Sequence, residues 1–109
     1  MNIEKNNNYT LITPTEDSLD AFLEVLNISD FTAENVLIDF LNSFELTVKQ
    51  LDSFSKLSLE KKENNTSFIL IVKGIEIDEL EDESLAIVPT LTEAKDTLEM
   101  DAIERDLGF

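Results

Sequence analysis

The chain has 109 residues, 42 % of them hydrophobic, and 24 acidic against eight basic side chains, for a formal charge of −16. That length fits one domain spanning residues 1–109, and seven phenylalanines supply a real core rather than a disordered coil. Cysteine and histidine are absent, which excludes disulfides, thiolate metal sites, thiol nucleophiles and the commonest metal ligand and general base.

Residues Ile3–Lys5 and Tyr9–Thr13 read as two strands joined through Asn6-Asn7-Asn8, a hairpin whose asparagines tolerate the left-handed conformation. Pro14 ends the second strand. Thr15 or Asp17 then caps a helix whose Leu19, Phe22, Leu23 and Leu26 form one apolar stripe. Asn27–Asn35 is a polar connection interrupted by Ile28 and Phe31.

Val36-Leu37-Ile38-Asp39-Phe40 and Ser67-Phe68-Ile69-Leu70-Ile71-Val72 are short apolar runs rich in β-branched residues, read as strands buried on both faces. Between them Val48, Leu51, Phe54 and Leu57 recur every three residues, which predicts a helix from about Thr47 to Lys62. A strand, a helix and a strand imply a right-handed crossover and a parallel pair. Asn65 is a plausible left-handed stop. Ile75–Ser84 is an acidic loop or short helical turn, Leu85–Val88 a strand, and Thr90 or Thr92 caps a last helix with Leu91, Ala94 and Leu98 inward. The acidic tail, about 99–109, continues as helix or forms a docked or loose end. The expected class is α/β, order β-β-α-β-α-β-β-α, with a mixed sheet. The expected core is Leu11, Leu19, Phe22, Leu23, Val36, Ile38, Phe40, Leu51, Phe54, Phe68, Leu70, Val72, Ile87 and Leu98.

Charge is unevenly spread. Gly74–Phe109 holds twelve acids and two bases, Lys95 and Arg105. This field repels nucleic acid and anionic membranes and attracts a basic partner. It also predicts stability that rises toward acidic pH or with salt, as crowded carboxylates are neutralised or screened. No apolar run approaches the ~18 residues of a membrane span. Met1–Asn8 is polar and unlike a secretory leader, so the expected location is cytoplasmic.

Three passages carry a family likeness: Val36–Phe40; Thr66–Gly74 after an acid- and base-rich helix; and Ile87-Val88-Pro89-Thr90-Leu91-Thr92-Glu93-Ala94. In this order they resemble the STAS domain, the fold of bacterial anti-sigma-factor antagonists, over residues 36–98. The resemblance implies a regulatory protein–protein interaction module. Signalling members carry an Asp-Ser-x-Gly step at the start of the helix after the Asp-ending strand, and a kinase phosphorylates that serine. Here Thr47-Val48-Lys49-Gln50 occupies the register, Val48 stands at the acceptor position and no glycine follows. The chain is thus similar to a degenerate member without the phospho-switch. Ser43 and Thr47 are nearby hydroxyls, and Thr47 is better read as a helix cap. Small STAS-like bacterial chains are sometimes labelled ribonuclease Z. That enzyme holds zinc through a histidine-rich motif, so a chain without histidine lacks its chemistry.

Other chemistries find little purchase. Glu76, Asp78, Glu79, Glu81, Asp82 and Glu83 lack the glycine and alternation of a calcium loop, and read as a solvated face. Glu99, Asp101, Glu104 and Asp106 read likewise, since carboxylates do acid–base work only where their pKa values are split. Two glycines form no phosphate loop. Asp39 at a strand end reads as a loop or helix-capping acid. The expectation is a non-enzyme without cofactors, monomeric or weakly dimeric, that binds a basic protein partner. Contacts are expected at Ser43, Phe44, Leu46, Thr47, Val48 and Gln50, with steering from Glu79, Asp82 and Glu83. The alternative is an acidic inhibitor or accessory protein of a nucleic-acid-processing enzyme, such as a tRNA 3′-end nuclease.

Overall fold

The structure, a computed structural model, describes residues 1–26, 31, 33–75, 77–80 and 85–108, with only the backbone at Ile77. Strands β1 (Asn2–Lys5), β2 (Thr10–Thr13), β3 (Val36–Asp39), β4 (Phe68–Ile71) and β5 (Ala86–Val88) form a five-stranded mixed sheet in chain order. β1 and β2 are antiparallel, and every later pair is parallel. The parallel pair at the centre registers Val36 on Phe68, Leu37 on Ile69 and Ile38 on Leu70. Helices α1 (Leu19–Val25), α2 (Val48–Asp52), α3 (Ser55–Glu63) and α4 (Leu91–Asp106) complete the α/β architecture.

Strand order sets where the helices go. Each parallel crossover steps the same way along the sheet, and right-handed crossovers that step one way stack on one face. Ile12, Val36, Ile38, Phe68, Leu70 and Ile87 accordingly pack with Leu19 and Phe22 of α1, Leu51 of α2, and Phe54 between α2 and α3. The alternate residues Leu37, Ile69 and Ile71 pack with Ala94 and Leu98 of α4 on the other face. Period-two alternation on strands covered on both sides makes β4 buried at every position. Leu11 follows the same rule: it turns toward the α4 face and is half-buried, while Ile12 takes the core place. Leu23 and Val72, also expected inside, lie half-buried at the margin of the first cluster.

Local details differ from expectation for physical reasons. The Asn6–Asn8 turn uses no left-handed residue. Asn6 Oδ1 instead accepts from the amides of Asn8 at 2.8 Å and Tyr9 at 2.9 Å, an Asx turn. Ser18, not Thr15 or Asp17, caps α1, accepting from Ala21 N at 3.2 Å, and the Thr15 hydroxyl instead accepts from the N-terminal ammonium. The single helix expected over 47–62 is two. The amides of Ser53 and Phe54 bond back three residues, to Gln50 and Leu51, at 3.1 and 3.0 Å. Apolar residues at a strict spacing of three drift around an α-helix, and one tighter turn re-aims them at the sheet. Asn65 does adopt the left-handed conformation, φ 59°, after α3. In the acidic β4–β5 connection, Ile77–Glu79 form one 3-10 turn and Leu80 is buried. Of the tail, the residues through Asp106 continue as helix: α4 runs there from its Thr90 cap. Arg105 fastens it, donating to Asn65 O at 2.5 Å and Ser67 Oγ at 3.2 Å, while Ser67 Oγ donates to Asp101 at 2.9 Å. No helix is long and apolar enough to cross a membrane among the described residues.

Candidate functional site

The connections leaving the carboxyl ends of β3 and β4 enclose a cleft of about 270 Å³. Loops at this end of parallel strands are the usual place for binding in α/β folds. On one side the chain leaves β3 through Phe40, whose amide extends the ladder to Ile71 O at 3.0 Å. Asp39 Oδ1 accepts from Leu41 N at 2.9 Å and Ser43 Oγ donates to Phe40 O at 3.0 Å, which turn the chain across the sheet end. Phe40 and Phe44 meet at a tilt of 59° with ring centres 5.8 Å apart, and Phe22 meets Phe40 edge-on at 5.9 Å. On the other side Gly74, at φ 77°, reverses the chain between Lys73 and Ile75. The lining combines the apolar Phe40, Phe44, Leu46 and Val72 with Ser43, Glu45 and Lys73, and the surface it presents to the cleft is more polar than apolar.

The expected contact residues divide here. Ser43, Phe44 and Leu46 are brought together as one wall of this cleft. Phe44, Leu46 and Val48 are half-buried and pack onto the core, so part of each serves the fold. Thr47 and Gln50 close a reciprocal capping box: Gln50 N donates to Thr47 Oγ1 at 3.1 Å, and Thr47 N to Gln50 Oε1 at 2.9 Å. Asp39 is engaged as a loop acid and caps no helix: its carboxylate accepts from Leu41 N two residues on. Glu79 is exposed on the 3-10 turn and does not line the cleft. Asp82 and Glu83 lie outside the described residues, as do Ile28, Glu76, Glu81 and Ser84. Among the described residues no three acids gather closely enough to hold a metal ion.

Lys61 is the polar residue that the reading of the sequence missed. It is 1 % exposed, and its ammonium donates to the carbonyls of Phe31 and Glu34. Burial pushes its pKa below 10.5, with the Glu34 carboxylate opposing. The signal was present: Lys61 follows Phe54 and Leu57 at stripe spacing, and a lysine stem can cover apolar surface while its head finds oxygens. Glu34 is held below the ordinary carboxylate range by its hydrogen bonds from Lys5 and Thr10, at 3.0 and 2.9 Å. Glu16 is lowered by the N-terminal ammonium at 2.9 Å. Both shifts run opposite to those expected of crowded acids, because each carboxylate has found donors. Asp52 on α2 could meet Lys49 or Lys56, but among the described residues it forms no ion pair, and its Oδ1 is buried without a hydrogen bond.

No protein-family model matches the sequence, and no curated protein matches it.

Proposed function

We propose that this chain is a non-catalytic regulatory module of STAS type, which binds a protein partner through the cleft beyond β3 and β4. The observation that carries the reading is the convergence of Ser43, Phe44 and Leu46 on one wall of that cleft. Such a wall suits a partner segment of mixed character, with Phe44 and Leu46 offering apolar contact and Ser43, Lys73 and Glu45 polar groups around it. The element order accords with the family likeness, and the split of the second helix leaves the β3–α2 connection unchanged in place. Val48 offers no hydroxyl at the family's acceptor position and packs partly on the core, and the Thr47 hydroxyl is engaged as a cap. Binding is thus independent of phosphorylation at this step. The charge of −16 favours a basic partner in the cytoplasm over nucleic acid or membrane. The protein acts as a monomer or weak dimer, needs no cofactor and performs no turnover.

A photo-crosslinker at Glu45 tests this in the native cell. A discrete adduct that disappears with Leu46→Ala in a folded variant is expected. Crosslinks that form only from Glu79 would move the function to the acidic surface and favour an accessory role on a nucleic-acid-processing enzyme. Nucleotide or RNA turnover by pure protein, abolished by one substitution, would overturn the non-catalytic reading.

A further inference from the structure

The last seven residues of α4 and the position after it carry an apolar stripe that the fold does not use. Met100, Ile103 and Leu107 are 61, 58 and 63 % exposed. At about 100° per residue, these three fall within an arc of about 60°, opposite the buried Ala94 and Leu98. Exposed acids border the stripe: Glu99 and Asp106 on one side, Glu104 on the other, with Glu93 and Asp96 continuing the same arc toward the N-terminus. The two bases of the helix lie off this arc, and Arg105 is turned to Asn65 and Ser67.

We infer that this face of α4 docks a cationic amphipathic helix of a partner protein. Helix-on-helix recognition needs apolar anchors at spacings of three and four, and Met100, Ile103 and Leu107 have that spacing. The acidic borders select what can lie there: basic residues flanking the partner's apolar face meet opposite charge. A second copy of this chain would set Glu99, Glu104 and Asp106 against acids and bring another −16 charge. An anionic membrane is repelled by the same field. The surface is separate from the cleft. α4 starts beyond the carboxyl end of β5 and ends where Arg105 reaches Asn65 and Ser67, before β4. The inference therefore stands or falls independently of the cleft.

The test titrates a fluorescent Leu/Lys peptide, with leucines at helical spacing, into the full chain. Saturable binding is expected, weakening with salt. Replacing Met100, Ile103 and Leu107 together by Ser leaves charge unchanged and should weaken binding about tenfold or more. Ile103→Ser alone should give a smaller loss in the same direction, with unchanged melting temperature. The variant Glu99→Gln, Glu104→Gln, Asp106→Asn should bind more weakly and with a flatter salt dependence. Equal binding by the serine variants would reduce the effect to charge and overturn the proposal. So would absence of binding, or capture by vesicles of phosphatidylcholine and phosphatidylglycerol. A dimer in sedimentation that the serine variants abolish would assign the stripe to self-association instead.

Discussion

Lys61 on α3 donates its ammonium protons to the main-chain oxygen of Phe31, thirty positions earlier. The same group reaches Glu34 O, so one buried side chain holds α3 to the segment that feeds β3. Lys61→Met keeps most of the stem but leaves two carbonyls without this donor. A loss of about 1–3 kcal/mol is expected. Urea denaturation of the two proteins measures it, and equal midpoints would mean that water replaces the ammonium.

The protonation of Lys61 has a signature at alkaline pH. Its folded value lies below 10.5, so between the two values the unfolded chain holds more protons. By linkage, its contribution to stability climbs as pH rises from the folded value toward 10.5. The difference in melting temperature between wild type and Lys61→Met should therefore grow over that window. A difference that shrinks there would contradict the buried, destabilised ammonium.

Glu34 and Glu16 act at the opposite end of the scale. Both are lowered from 4.5, so the unfolded chain takes up their protons first on acidification. Their stabilisation is present above that value and lost as pH falls through the folded one. The general relief of acid repulsion works in the other direction as pH falls. Comparison with Glu34→Gln separates the two: the advantage of wild type should shrink from pH ~6 to ~3. An advantage that is constant over this range would rule out Glu34 as the source.

Phe22 is wholly buried and meets the Phe40 edge at the floor of the aromatic cluster below the cleft. Phe22→Ala should cost about 3–5 kcal/mol. Thr47→Ala removes a cap and should cost about 0.5–2 kcal/mol. The pair distinguishes support from contact. If Thr47 only caps α2, Thr47→Ala lowers the melting temperature while a folded sample binds the partner as wild type does.

The central strands were readable because β3 and β4 are covered on both sides, which leaves uninterrupted apolar runs with no competing helical pattern. The α/β class and the parallel central pair followed from those runs. The break at Ser53–Phe54 was not readable, because Phe54 fits either one helix or a re-aimed pair. Lys61 was hidden by its type: a lysine at a stripe position is ordinarily a solvated base, and its oxygens come from a distant loop. Ser43, Phe44 and Leu46 were picked out through a resemblance, and their polar and apolar types alone did not place them on one wall. The role of Thr47 was local, and local chemistry is what a sequence displays best.

Strand order identical to chain order has a consequence for synthesis. As the polypeptide leaves the ribosome, each strand finds its neighbour already made, so the sheet can be laid down from one margin to the other without waiting for a distant segment. The helices of one face are threaded between strands and arrive in step. The other face has no such arrangement: Leu37, Ile69 and Ile71 stay open to water until the 16 residues of α4 emerge. A nascent chain halted before Leu91 would thus present a half-clad sheet, and chaperone capture should peak at that length and fall once Leu98 can reach its place.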